Sequence, residues 1–475
     1  MQSVSLAHIP ISSATDFFVL MPLTSTNPAT GAVLNEYPLH TPDEVEQRLS
    51  RAATGFAANR ARAVSGRAQR LRRAADRLEQ DAERYGALMT EEMGKPLAQA
   101  TAEAEKCAWV CRYYADHGAD FLADEPVDTE AATSYVAYEP LGPILAVMPW
   151  NYPFWQLFRF GAPALMAGNA ILLKHAPNVS GCAAAIEALL RDAGFVDHEL
   201  QVLRVAEDTV GDVLADRRVR GATLTGSVAA GQAVAQQAAA HAKPTVLELG
   251  GSDPFIVCAD AALDRAAEVG CTARMQNNGQ SCIAAKRFIV ERPVLQPFTE
   301  RLIDAVEALT VGDPADSQTD IGPLARADLR AEVHDQVERA IGDGAVALAG
   351  GHTLERDGFF YAPTVLSEVT PGTVAFNEEI FGPVASIVAA DDPEHAVALA
   401  NDTRFGLGGS IFTEDLEKGE RMARALDVGC AFVNEMTKSD PRLPFGGIKD
   451  SGYGRELSHH GLHEFVNAKT VWVNA

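Results

Sequence analysis

Between residues 66 and 92 the apolar positions Leu71, Ala74, Ala75, Leu78, Ala82, Leu88 and Met89 recur every three or four residues, and Gly94 and Pro96 follow. That spacing puts them on one face of a 3.6-residue repeat and predicts a single long amphipathic helix. Further along, short β-prone runs at 144–148, 170–174, 202–205, 222–225 and 245–249 alternate with Ala- and Leu-rich stretches of helical character. Such alternation predicts βαβ units around a parallel sheet. A second series begins near Phe255 and continues through 288–290, 411–413 and 431–434, which predicts another α/β domain. Residues 312–323 read as a polar loop, and Asn27-Pro28-Ala29-Thr30-Gly31 as a compact turn. Residues 1–20 lack periodicity and precede Met21, so they are expected to be an N-terminal extension, either disordered or ahead of the native start.

A chain of 475 residues exceeds one compact core, so two or three domains are expected. Lys and Arg total 40 against 64 Asp and Glu, a formal net charge of −24. That excess repels nucleic acid and anionic membrane surfaces, and any anionic ligand must be held by local cations or backbone donors. The seven cysteines contain no CxxC pair and have no His at zinc-ligand spacing, which argues against a disulfide framework and a metal site. No apolar run approaches the roughly 20 residues of a membrane span. The first 40 residues hold no Lys or Arg, so a basic signal or transit peptide is not expected and the cytoplasm is the expected compartment.

Cys282 follows Asn277-Asn278-Gly279-Gln280-Ser281, a turn-forming stretch that can present both a sulfur and a backbone N–H. A thiolate is a good nucleophile toward a carbonyl carbon, although most lone cysteines simply pack. Glu248 ends an apolar strand just before Gly250 and Gly251. It suits a general base of raised pKa or, equally, a strand-end carboxylate paired with a cation. Asn151, after Trp150 and between prolines, suits an oxyanion donor or a plain Asx turn. Lys174 ends its strand at the edge where open α/β sheets bind ligands, and the run from Gly226 through Ser227 to Gly231 suits a pyrophosphate at a helix N-terminus.

Five segments, Pro149-Trp150-Asn151, Glu248-Leu249-Gly250-Gly251, Gly279-Gln280-Ser281-Cys282, Glu378-Glu379-Ile380-Phe381-Gly382-Pro383 and Pro444-Phe445-Gly446-Gly447, resemble the aldehyde dehydrogenase superfamily in order and spacing. The resemblance runs from about Asn27 to Trp472. It implies an α/β fold with a Rossmann-type cofactor domain (21–124 and 141–249), a catalytic α/β domain (250–455) and a small β oligomerisation flap (125–140 and 456–475). It also implies NAD(P)-dependent oxidation of an aldehyde to a carboxylic acid, with Cys282 as thiolate nucleophile, Asn151 and the Cys282 N–H at the oxyanion, and Glu248 activating water. Trp150, Lys174, Pro177, Gly226, Ser227, Leu249, Glu379 and Phe381 are the implied cofactor contacts. A homodimer or homotetramer follows from the flap.

Within the superfamily, Phe154-Trp155-Gln156-Leu157-Phe158-Arg159-Phe160, Gly250-Gly251-Ser252-Asp253-Pro254-Phe255 and Cys282-Ile283-Ala284-Ala285-Lys286-Arg287-Phe288 resemble succinate-semialdehyde dehydrogenases. That implies succinate semialdehyde as substrate, with Arg159 and Ser439 on its carboxylate; another small semialdehyde such as glutarate semialdehyde is the alternative. A CoA-acylating enzyme has little use for Glu248, and a non-catalytic binding protein would not need Cys282, Asn151 and Glu248 together. Some of these enzymes carry an Arg six residues before the nucleophile, where Gln276 stands here, and a second Cys two residues after it, where Ala284 stands. Pro177 replaces a Glu common in NAD-preferring members, so no carboxylate repels a 2′-phosphate, and Lys174 and His175 tilt the expected cofactor from NAD toward NADP.

Overall fold

The structure, a computed structural model, describes residues 22–195 and 198–474, so the expected extension at 1–20 lies outside the described residues. The described residues form four sheets, a two-stranded one of Leu23–Thr26 and Val33–Tyr37 and three larger ones. The first of the larger ones runs in spatial order Gly452–Tyr453, Thr245–Glu248, Gly221–Thr225, Pro143–Met148, Ala170–His175 and Leu200–Val202. All of its pairings are parallel except that of Gly452–Tyr453, which lies antiparallel to Thr245–Glu248. Its central strands are buried on both faces, which explains why they read as continuous apolar runs. From Pro143–Met148 the chain builds outward on one side and then returns to build on the other. That reversal opens a crevice at the carboxyl ends of Pro143–Met148 and Gly221–Thr225, where ligands of open α/β sheets bind.

The second sheet has seven strands, Val346–Ala349, Thr364–Ser367, Val384–Ala390, Ala285–Glu291, Asp253–Val257, Gly408–Phe412 and Cys430–Val433, parallel except at the Val346–Ala349 edge. The third is antiparallel and joins Glu125–Pro126 and Thr133–Pro140 to Val466–Val473. No described helix is long and apolar enough to cross a membrane.

Two expectations change. The predicted single helix over 66–92 is two, Val64–Gln80 and Ala82–Met93, broken at Asp81 (φ −109°, ψ 18°). The Asp81 carbonyl still accepts from the Tyr85 N–H and its carboxylate takes Arg84, so a short polar side chain ends one helix and starts the next without disturbing the apolar face. The run at 202–205 leaves the sheet after Val202, because Arg204 pairs instead with His40: the His40 N–H donates to the Arg204 carbonyl and the Arg204 N–H to His40 Nδ1.

Candidate active site

The strand Pro143–Met148 delivers Trp150 and Asn151 to the crevice, and the helix Trp155–Ala167 starts immediately beyond. That helix has no capping side chain of its own. Glu103, from the helix Leu97–Phe121, supplies one: its Oε1 accepts from the Phe154 and Trp155 N–H groups, each at 2.9 Å, and Lys95 pairs with its other oxygen in full burial. Asn151 is thereby held rigidly. Its Nδ2 donates to the Gln280 carbonyl at 3.2 Å, and its own carbonyl accepts from Asn277 Nδ2 at 2.9 Å.

Asn277 and Asn278 take the left-handed conformation (φ 54° and 57°), which short amide side chains tolerate by bonding locally. Asn278 donates to the Gly94 and Pro323 carbonyls, both at 2.8 Å, and accepts from the Gly322 N–H at 2.8 Å; Gln280 accepts from the Ala325 N–H at 3.0 Å. Beneath the loop, the fully buried Arg274 donates to the carbonyls of Gly279 (3.1 Å), Ile380 (2.8 Å), Val384 (2.5 Å) and Gly382. One guanidinium thus ties the Cys282 loop to the segment bearing Glu379 and Phe381.

Cys282 is half-buried at the end of this loop. Its carbonyl accepts from Lys286 Nζ at 2.8 Å, while its N–H has no acceptor among the described residues. Lys286 also lies 3.2 Å from Glu379 Oε1, which accepts from the Gly251 N–H at 3.1 Å. Gly250 and Gly251 are required here by space: a Cβ on Gly250 would stand 2.1 Å from Glu379 Oε2, and one on Gly251 2.8 Å from the Cys282 carbonyl oxygen. Burial pushes the Cys282 thiol up to about 11, with Arg159 and Lys286 opposing the rise. The uncharged thiol is therefore favoured at rest, and the thiolate expected as the attacking species forms on loss of its proton.

Glu248 closes the strand Thr245–Glu248 with only 2% of its surface exposed, and neither carboxylate oxygen has a partner among the described residues. Burial holds its carboxyl well above the usual range, Arg159 opposing and Glu456 adding to the effect. The strand-end ion pair that was the alternative reading is not formed.

The expected cofactor residues gather along the crevice. Lys174 is the penultimate residue of the strand Ala170–His175, is buried without an ion pair among the described residues, and is shifted down by that burial. Pro177 opens the turn Pro177–Val179 ahead of the helix Ser180–Asp192. Ser227 caps the helix Val228–Ala239, accepting from the Ala230 N–H at 3.3 Å, and the Gly226 N–H donates to the Glu248 carbonyl at 3.0 Å. Leu249 packs against that helix at Gly231. The Trp150 and Phe381 rings meet edge to face, 5.8 Å apart. His175 does not join the group: its Nδ1 accepts from the Ala176 N–H and its Nε2–H donates to the Pro153 carbonyl at 2.8 Å, with burial pushing the ring down to about 4. It is a neutral packing residue, neither a phosphate contact nor solvent-facing.

Cys282 opens into a cavity of about 340 Å³ lined also by Arg159, Gln276, Lys106 and Ser439. Arg159 is not a free clamp. Its Nε pairs with Glu456 in full burial, its Nη2 lies 3.5 Å from Thr225 Oγ1, and its guanidinium stacks 4.5 Å over Phe445. Ser439 Oγ accepts from Lys106 Nζ at 2.9 Å. Sequence reasoning gave no role to Lys106, Lys286, Arg274, Glu103 or Glu456. Lys286 and Arg274 lay within reach, four residues past and eight residues before Cys282; Lys106, Glu103 and Glu456 come from distant segments and carry no local signal.

Residues 21–471 match the model of the aldehyde dehydrogenase family. The chain is 50% identical over 456 residues to succinate-semialdehyde dehydrogenase [NADP(+)] 1 of Mycobacterium tuberculosis, covering 95% of this chain and 100% of that one. It is 48% identical over 448 residues to the NAD(P)+ succinate semialdehyde dehydrogenase Sad of Escherichia coli K12, covering 94% and 97%. The crystal structure of succinic semialdehyde dehydrogenase from Streptococcus pyogenes in complex with NADP+ superimposes with a TM-score of 0.93 at 36% identity, covering 95% of this chain and 100% of that one. These matches make the chain a member of the aldehyde dehydrogenase family.

Proposed function

We propose that this aldehyde dehydrogenase oxidises succinate semialdehyde to succinate with NADP+. The observation that carries the substrate is the charge of the cavity at Cys282. Four cations, Lys95, Lys106, Arg159 and Lys438, line it; Glu103, Glu456 and Glu435 pair with three of them, and Lys106 is left without a carboxylate partner among the described residues, in a protein whose net charge is −24. A local positive cavity inside a negative molecule favours an aldehyde with an anionic tail. The relatives named above point the same way.

Attack begins with loss of the thiol proton to solvent water and formation of a bond from Cys282 Sγ to the aldehyde carbon, whose C=O π electrons move onto the oxygen. The alkoxide so formed takes hydrogen bonds from Asn151 Nδ2, which has a second N–H beyond the one given to Gln280, and from the uncommitted Cys282 N–H. Each such donor contributes about 3 kcal/mol at the transition state. A bound nicotinamide supplies the hydride acceptor that turns the adduct into a thioester. Glu248, once ionised, removes a proton from water as the water oxygen attacks the thioester carbon; the C–S bond breaks, the acid leaves and the sulfur regains its proton. The helix N-terminus at Ser227 and the unpaired Lys174 fit a dinucleotide phosphate and ribose, Glu379 a second ribose, and Trp150 and Phe381 the ring end. Pro177, with no carboxylate to repel a 2′-phosphate, favours NADP+.

We assign 21–124 and 141–249 to cofactor binding, 250–455 to catalysis, and 125–140 with 456–475 to assembly of a cytoplasmic homo-oligomer through the three-stranded sheet. Initial rates on succinate semialdehyde, glutarate semialdehyde and butanal, each with NADP+ and NAD+, test the reading. Succinate semialdehyde is expected to exceed butanal about 100-fold in kcat/KM, and butanal turning over equally well would sink it. Light scattering tests the oligomer, and a monomer would remove the assembly role.

A further inference from the structure

The cations of the cavity at Cys282 are not equivalent. Arg159 is neutralised from behind by Glu456 and fixed by Thr225 and Phe445. Lys95 is matched by Glu103, and Lys438 by Glu435 at 3.0 Å. Lys106, half-buried on the helix Leu97–Phe121, has no carboxylate partner among the described residues. Its Nζ donates to the Ser439 hydroxyl at 2.9 Å and lies 4.4 Å from the Trp155 ring centroid. The charged and titratable groups around it are Arg159, Cys107, Glu103 and Asp440. Both carboxylates among them are engaged elsewhere: Glu103 with Lys95 and two backbone N–H groups, Asp440 with the Nε and Nη2 of Arg442. An ammonium so placed lacks its counter-ion, and leaving a charge desolvated and unpaired is costly.

We propose that Lys106 is the residue that receives the distal carboxylate of the substrate, with the Ser439 hydroxyl as its partner donor and Arg159 a fixed positive wall behind them. The assignment rests on the ω-carboxy aldehyde reading above and names the group that reads the carboxylate. Ser439 accepts from Lys106, which leaves its own O–H free to donate to a carboxylate oxygen. Burial, with Arg159 adding to it, pushes Lys106 down to about 8. A bound carboxylate restores the charged form, so affinity for an anionic aldehyde is full below that pH and is lost as pH rises through it. An aldehyde with a methyl in place of the carboxylate feels no such loss.

The experiment measures kcat/KM for succinate semialdehyde and for butanal on the NADP+-supplied enzyme, wild type and Lys106→Met, from pH 6.5 to 9.5. The ratio of the two aldehydes cancels the ionisations of Cys282 and Glu248, which both substrates share. The expected result is a wild-type ratio that falls about tenfold per pH unit above pH 8, and a ratio in K106M lowered about 10- to 100-fold at pH 7, carried by KM for succinate semialdehyde. A wild-type preference that persists in K106M, or that is flat with pH, overturns Lys106 as the carboxylate receptor while the substrate reading stands. No wild-type preference at any pH overturns both. The wild-type profile needs no variant, so misfolding of K106M cannot mask the answer.

Discussion

Around Cys282 the side chains of Asn277, Asn278 and Gln280 each make hydrogen bonds that hold the loop, Asn277 Oδ1 alone of the Asn277 amide standing without a partner among the described residues, and Arg274 secures it from below, whereas neither carboxylate oxygen of Glu248 touches a donor among the described residues. Under the proposed mechanism the two regions meet different demands. A nucleophile must be placed within tenths of an ångström of its target, and a hydrogen-bonded loop fixes position. A base that serves only after the first bond has formed needs a raised affinity for protons. Any N–H donated to its carboxylate would stabilise the anion and erase that affinity. Placement by bonding and activation by withholding bonds therefore coexist across one crevice.

Removing the held group is expected to have the largest effect. Cys282→Ala should lower reduced-cofactor formation by at least about 10⁴-fold, and a variant retaining even 1% of wild-type rate would show that the loop positions something other than the nucleophile. Glu248→Gln should leave a burst of one reduced cofactor per active site followed by turnover slowed about 10²- to 10³-fold; steady turnover at the wild-type rate would remove Glu248 from deacylation. Arg274→Met leaves four carbonyls without their donor and should cost about 2 kcal/mol of stability, read from chemical denaturation, together with slower acylation. A wild-type midpoint would mean that the loop does not depend on its clamp. A further test follows pH: alkylation of Cys282 by iodoacetamide, corrected with the C282A blank, should climb about tenfold per pH unit between pH 7 and 9, since burial pushes the thiol up to about 11. A plateau below pH 8 would reveal a resting thiolate and a site less desolvated than its geometry indicates.

How far the sequence could be read depended on whether an element's physics was local. The apolar runs of the six-stranded sheet gave its five parallel strands to within a few residues, because burial on both faces demands such runs. The break at Asp81 was invisible, since the apolar period continues across it. Cys282, Glu248 and Asn151 were singled out from motif chemistry and do meet at the crevice. Lys106 was not, because a lysine on a helix face looks solvated until Trp155, Ser439 and Arg159 are brought against it. His175 erred in the opposite direction: beside Lys174 it suggested a phosphate contact, but strand alternation turned its ring inward to Pro153.

The strand Gly452–Tyr453 pairs Gly452 with Glu248, and Glu456 a few residues later pairs with Arg159. Both contacts span about 200 residues or more of chain, so during synthesis the cysteine, the base and most of both large sheets leave the ribosome before the segment that completes their surroundings. Without that C-terminal segment the strand Thr245–Glu248 is the edge of its sheet. Arg159 likewise lacks its counter-charge. A C-terminally truncated chain therefore keeps Cys282 but lacks the strand and the carboxylate that complete the surroundings of Glu248 and Arg159.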